Sequence, residues 1–544
     1  MTENQRGIYV DWLRNQNTTQ YNIPGVVRFP DLDPRRLAAA VEKVIAAHKA
    51  FRIRFVEKDG EIVQEVGNGE RGTVEVIELD REPDADFFAS QVRPFAPSDS
   101  SLVRIKIFQS STSTSHFNSY LFLDIHHTVF DGVSMGVFLN ELMLVLDGGE
   151  PQGEEYALTD AAVDEEKYLK GPECAEDEKW FERYLDGVES TRIDPSVGAA
   201  ASVGAASLPR EEKDVSSITG GRDASATRDA SATRDASAAL ACGRVVRKLA
   251  GAGITAFCKD HGVSPSDYLL TAFTELLKRI GRSEDVLINF VSAGRTDPSV
   301  AGTIGMFVKT LPIRGVKDAK TFAEAASKLH LDVLDLLDRS RVSYARLSEL
   351  FGVRPDILFA YEGGIFELPH GASLIEVPLD TPKAPLSVVV NPGPDDFKIT
   401  FEYDRALYSA ADMERLASMF VTLAEGCGRI GEAEKVGESE SLPLLRDIPL
   451  VSSEEAEKIL ALSYGGDLEY DATKTFVNMF HANVITRSFA TAVVDSECSL
   501  TYGELDERSN ALSAALVERG VVAGDFVAVK LPRTVDFIVA VLAV

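Results

Sequence analysis

The stretch LFLDIHHTVFDGVSMGVF, Leu121 to Phe138, runs from an apolar segment into two adjacent histidines, an aspartate and two glycines, then back into an apolar segment. If residues 120–127 form a strand, period two puts His127 on the face of Leu121, Leu123 and Ile125. His126 then shares the other face with Tyr120, Phe122 and Asp124. The two imidazoles point opposite ways, so one can face a reaction space while the other packs within the fold. Asp131 can accept hydrogen bonds or pair with an arginine to hold the turn, and Gly132 leaves the backbone accessible. Val137, Phe138, Leu142, Val145 and Leu146 then form an amphipathic stripe that stops at Gly148-Gly149. A strand leading through a polar turn into a helix is the signature of mixed α+β material.

Three other readings compete for these residues. As a half-buried strand end, the histidines would have no chemistry at all, but the Asp-Gly turn at fixed offset argues against that. A metal site would use His and Asp, yet adjacent strand residues face apart and no third or fourth ligand sits at suggestive spacing. No metal is expected. Gly132-Val133-Ser134-Met135-Gly136 also spells the G-x-S-x-G of a serine hydrolase or thioesterase. That elbow needs its serine on a tight turn directly after the strand. Ser134 lies seven residues beyond the expected strand end, and reads better as a helix N-cap.

At 544 residues the chain is too long for one ordinary core, and length alone predicts about three or four compact units. Asp and Glu outnumber Lys and Arg by 85 to 56, giving a formal charge of −29. That charge argues against nucleic acid and anionic membrane as partners. Cys174, Cys242, Cys258, Cys427 and Cys498 show no C-x-x-C spacing and suit reduced thiols. Neither a signal sequence nor an apolar run of about 18 residues is present, so a cytoplasmic location is expected.

Outward from the motif, Asp33-Pro34 opens a helix carrying Leu37, Val41, Val44 and Ile45. RIRFV, EIVQEV, TVEVIEL and LVRIKIFQ read as strands, which makes residues 1–187 a first α+β lobe. Residues 188–243 are rich in Ala, Ser, Gly, Arg and Asp, with RDASAT at 222–227 and 228–233 and a decaying third copy from Arg234. This low-complexity insertion cannot bury a core and is expected to be disordered. A second α+β lobe spans 244–445. It opens with a capping box at Ser264-Pro265-Ser266-Asp267, strands VLINFVS and MFVKTLPIR, a helix over 321–338, and paired strands LSVVVN and FKITFEYD. A linker at 446–475 precedes a different segment, 476–544. There, Thr501 to Glu504 caps a helix, FVAVKL reads as a strand, and TVDFIVAVLAV is an apolar run at the end of the chain, which suggests a truncated third domain.

His126-His127-Thr128-Val129-Phe130-Asp131-Gly132 resembles the H-H-x-x-x-D-G of nonribosomal peptide synthetase condensation domains, members of the chloramphenicol-acetyltransferase-like fold. TENQRGIYVDW (2–12) resembles the family's N-terminal signature, HKAFRIRF (48–55) the motif that supplies a structural arginine, and IGMFVKTLPIR (304–314) its second-lobe signature. Ala47 and Lys49 replace the arginine and glutamate usual in the second of these motifs, and Lys309 stands where asparagine is common. LTYGELDERSNALSAAL (500–516) and GVVAGDFVAVKL (520–531) resemble the opening of an adenylation domain.

The resemblance implies two lobes in a V-shaped pseudo-dimer, followed by an incomplete α/β adenylation segment that should not activate an amino acid. It implies amide formation, with an acyl or peptidyl group moving from a donor carrier-protein thioester to the amine of an acceptor aminoacyl carrier-protein thioester. His127 maps to the catalytic histidine and His126 to its structural companion. Asp131 maps to the acid expected to pair with Arg52, and Gly132 to the motif's closing glycine. No permanently bound cofactor is implied. Phosphopantetheine thioesters arrive on donor and acceptor peptidyl carrier proteins, the adenylation domain is a further partner, and ATP with Mg belongs only to a complete adenylation domain. Three alternatives stay open: an epimerisation domain, which shares the double histidine, a non-catalytic platform that recruits carriers, and the Ser134 hydrolase.

Overall fold

The computed structural model describes residues 1–193 and 242–544, apart from 15, 68–73, 97–100, 112–116, 355, 364–367, 369–370, 379–380, 437–443, 467–468 and 470. The RDASAT repeats lie outside the described residues. The chain divides into two compact units, Met1–Glu455 and Ala456–Val544.

In the first unit, helix α1 (Glu3–Arg14) precedes strand β1 (Asn22–Pro30), and α2 (Pro34–Ala47) follows with Asp33 capping its first turn. Leu37, Val41, Val44 and Ile45 are all buried along α2, as their spacing predicts. The hairpin β2 (Ile53–Lys58) and β3 (Glu61–Val66), then β4 (Glu75–Leu79), α3 (Ala85–Gln91) and β5 (Val103–Ser111), lead to β6 (Phe117–His126). β6 lies inside a five-stranded sheet between β1 and β5, antiparallel to both, with His126 opposite Asn22. Both of its faces are covered. Leu121, Leu123 and Ile125 join the main core under α2, while Tyr120 and Phe122 pack with Phe88 and Phe108. Double-sided burial explains why the strand reads as a nearly continuous apolar run, each large side chain contributing about 1.5–3 kcal/mol. The stripe after the motif forms α4 (Gly132–Leu146), followed by α5 (Leu158–Leu169) and α6 (Pro172–Leu185).

The second sheet, order β7-β13-β12-β10-β8-β9, is mixed. It uses β7 (Cys242–Ala250), β8 (Leu287–Ser292), β9 (Lys309–Arg314), β10 (Ile357–Tyr361), β12 (Leu386–Pro392) and β13 (Asp396–Asp404). Its helices include Pro265–Gly281, with the Ser264/Asp267 capping box in place, and Phe322–Asp338.

Packing crosses the expected boundary at residue 187 in both directions. Phe181 and Leu185 of α6 belong to the second core, whereas Val300, Ile304 and Phe307 belong to the first. Strand β11 (Ser373–Ile375) likewise reaches back to pair with β1. Periodicity shows which side chains are buried but not which core receives them.

The second unit holds helices Phe476–Arg487, Tyr502–Glu518 and Val535–Ala543 beside a two-stranded sheet, with Thr501 and Glu504 forming the expected capping box. FVAVKL (526–531) forms no strand, contrary to the sequence reading. A strand needs a neighbour for its backbone groups, and Phe526 here is fully exposed.

Candidate active site

Strand β6 stops at His126, and His127–Val129 turns as a short 3₁₀ helix, so the alternation expected through residue 127 ends one residue early. The His126 N–H donates to the Leu102 carbonyl at 2.9 Å and the His127 N–H to the Tyr21 carbonyl at 2.8 Å. His126 is buried. Its ring stacks on Trp12 with centroids 4.2 Å apart, and its Nδ1 meets Thr128 Oγ1 at 2.8 Å. Burial above all, with the Arg104 guanidinium adding to it, pushes its pKa down to about 3. Asp124, on the same strand, accepts from Asn22 at 2.6 Å and from Arg104 at 3.0 Å. Burial outweighs both partners and raises its pKa.

His127 is only partly enclosed, although its Nδ1 is buried. Burial, then the nearby Lys383 ammonium, lowers its pKa to about 4 despite the Asp131 carboxylate. Both effects favour the neutral imidazole. Gly132 opens α4 beside it, and a Cβ built there meets nothing within 4 Å.

Asp131 is fully buried and accepts from five directions. Oδ1 takes the Ser134 N–H at 2.8 Å, the Ser134 hydroxyl at 2.7 Å and Arg295 Nη2 at 3.0 Å. Oδ2 takes Arg295 Nη2 at 3.3 Å and the Phe307 N–H at 2.9 Å. The expected partner was Arg52. The structure pairs Asp131 with Arg295 instead, and leaves Arg52 Nε buried without a hydrogen bond. Arg295 also donates to the carbonyls of Val300 and Thr303 and lies over the Phe307 ring, 4.6 Å from its centroid. Gly294 permits this approach, having φ of +64° and a would-be Cβ 1.9 Å from the Phe307 carbonyl oxygen. No pattern around Gly294-Arg295 signals its role, because the ion pair joins residues 164 positions apart.

Asp131, not Ser134, is the N-cap of α4. The Ser134 hydroxyl is fully buried and in use, donating towards Asp131 and the Gly305 carbonyl and accepting from the Gly305 N–H at 3.0 Å and Arg295 at 3.1 Å. Among the described residues no histidine is hydrogen-bonded to it, and His370 lies outside the described residues. His330 is hydrogen-bonded to Asp267, and His261 packs on Phe257. The hydrogen bonds of the Ser134 hydroxyl hold the start of α4 against residues 295–305 and join it to no general base of a hydrolase triad among the described residues. Among the described residues no cluster of three potential ligands could hold a metal ion, and no helix is long and apolar enough to cross a membrane.

The family model described as "Condensation domain" matches residues 1–429. The chain belongs to the condensation domain family. A second model, "AMP-binding enzyme", matches residues 480–544. The chain is 23% identical to bacitracin synthase 2 of Bacillus licheniformis and 25% identical to surfactin synthase subunit 1 of Bacillus subtilis (strain 168). It aligns over 100% and 99% of its own length, but spans only 20% and 14% of those relatives. Among solved structures, the first condensation domain of the calcium-dependent antibiotic synthetase matches with TM-score 0.62 at 17% identity, covering 83% of this chain and 98% of that one. A nonribosomal peptide synthetase in an AMPPNP-bound form matches with TM-score 0.71 at 18% identity, over 100% of this chain and 53% of that one. The condensation domain therefore shares their α+β fold.

Proposed function

We propose that this condensation domain forms peptide bonds in nonribosomal peptide synthesis. In this reading the acceptor amine attacks the carbonyl of the donor thioester, a C–N bond forms as the C–S bond breaks, and the amine proton ends on the departing thiol. The observation that carries it is a partly exposed His127 in the same turn as the open backbone of Gly132, with Asp131 locked behind them by Arg295. A ring with pKa near 4 is a weak base. An α-amine titrates near 8 in model compounds and is already partly neutral at physiological pH. His127 is therefore assigned to accepting a hydrogen bond from the amine, orienting it and relaying its proton, more than to deprotonating it beforehand. His126, sealed between Trp12 and Thr128, is assigned to support, and Asp131 to holding the start of α4.

Both substrates would arrive as phosphopantetheine thioesters on donor and acceptor carrier proteins, made available by neighbouring adenylation domains. The free thiols accord with a reducing cytoplasm. ATP and Mg belong to a complete domain of the AMP-binding family.

The test supplies one donor and one acceptor carrier thioester and follows amide formation by intact-protein mass spectrometry, for wild type, His127→Ala and Ser134→Ala. Transfer that survives at Ser134→Ala and collapses at His127→Ala is expected. Thioester hydrolysis that depends on Ser134, or carrier binding without transfer, would overturn the proposal.

A further inference from the structure

We propose that Gln5 is a positioning residue for His127, acting from α1 on the turn that carries it; the inference rests on the condensation reading for its kinetic readout only. Gln5 is fully buried in the first turn of α1. Its Oε1 accepts from the Thr2 N–H at 2.8 Å, and its own N–H donates to Thr2 Oγ1 at 3.2 Å, a reciprocal helix cap. That cap uses only the oxygen of the side chain. The Nε2 group has two further acceptors, the Thr128 carbonyl at 2.9 Å and Gln64 Oε1 at 3.1 Å.

Thr128 follows His127 directly, and its hydroxyl also meets His126 Nδ1. The His127 backbone is thus held from before by Tyr21, which takes its N–H, and from behind by Gln5, which holds the next carbonyl. A buried amide with both protons engaged is costly to disturb, and a turn released by one bond can shift its side chain enough to lose near-attack geometry.

Gln5→Glu separates the cap from the tether. A glutamate keeps the oxygen for Thr2, but once ionised it has no donor for Thr128 and sets a carboxylate against that carbonyl. Protonated, it regains one donor, and burial raises the pH at which this happens. Relative to wild type at each pH, which cancels titration of the acceptor amine, kcat of Gln5→Glu is expected to be down about tenfold near pH 8.5 and to recover towards pH 6, with KM for both carriers changed less than about twofold.

An independent readout is NMR of histidine-labelled full-length protein, with the His127 signal assigned by its loss in His127→Ala. In Gln5→Glu that signal should move with pH while His48 and His330 stay as in wild type. Gln5→Met, similar in shape and without donors, should show the displaced signal and the lowered kcat at every pH, and serves in place of the glutamate if that variant does not fold. A His127 signal unmoved in the folded variant overturns the proposal. If wild type forms no amide, the condensation reading fails, and the NMR still decides the role of Gln5.

Discussion

Replacing Arg295 by methionine should cost the first unit about 3–4 kcal/mol, whereas Arg52→Met should cost less than about 1 kcal/mol. The estimate starts from burial, since the Arg295 side chain is 6% exposed and Asp131 is 0% exposed. Breaking such a pair from one side leaves an uncompensated buried carboxylate, worth about 3–5 kcal/mol. Three donors remain on Asp131, the Ser134 N–H, the Ser134 hydroxyl and the Phe307 N–H, which keeps the carboxylate loss at the lower end. Against that, the carbonyls of Val300 and Thr303 lose their arginine donor and Phe307 loses a cation over its ring. Urea unfolding can be followed by the fluorescence of the chain's two tryptophans, Trp12 in the first core and Trp180 packed against the second. With a slope of about 3 kcal/mol/M, the midpoint should fall by about 1 M in Arg295→Met. Adding Asp131→Asn to that variant should recover part of the loss, since the orphaned charge is gone. A midpoint unchanged in Arg295→Met, or an equal fall in Arg52→Met, would refute the assignment.

His48 is buried between Glu154, 2.5 Å from Nδ1, and Glu141, 2.8 Å from Nε2. Burial alone would lower its pKa, but hydrogen bonds to Glu154 and Glu141 outweigh it and raise it above 6.5. A raised folded pKa stabilises fully below about pH 6.5 and loses that contribution as pH climbs through the folded value. Thermal melts from pH 6 to 9 should therefore fall more steeply for wild type than for His48→Gln, and parallel curves would remove the clamp. Gly132→Ala should leave the melting temperature within about 2 °C, because its Cβ meets no atom and helix propensity improves; amide formation should still drop, and undiminished turnover would mean that substrate does not use this space. Lys309→Asn, which installs the residue common in the family, breaks an ion pair with Glu165 at 3.3 Å. Glu165 keeps the Glu3 N–H at 2.6 Å, so the loss should be about 1 kcal/mol by urea titration, and a loss above about 3 kcal/mol would show a larger role.

What the sequence reveals is local. Asp33, Ser264 and Thr501 announce helix starts that the structure places where expected, because a cap and its target lie two or three residues apart. The motif's internal geometry is legible for the same reason: Asp131 caps α4 through Ser134, three residues on. Helices such as α1 and α6 carry no comparably clear pattern, since their polar residues contact other elements. Gln5 reaches Thr128 and Glu178 reaches Arg346. FVAVKL fails as a strand because alternation gives a face to bury but supplies no partner.

The choice between Arg52 and Arg295 shows where local reasoning stops. Both are arginines near apolar segments, and a motif resemblance favoured the one nearer in sequence. Arg295 prevails because residues 300–307 leave the second lobe and pack Val300, Ile304 and Phe307 into the first core. That excursion brings the Phe307 N–H and Gly305 backbone onto Asp131 and Ser134, and Gly294 lets Arg295 follow. The turn behind His127 is thus closed by chain belonging to the other half of the unit. Residues 1–187 expressed alone would keep the caps within the motif but bury Asp131 and Ser134 without their partners, so the site acquires its geometry only when both cores are formed.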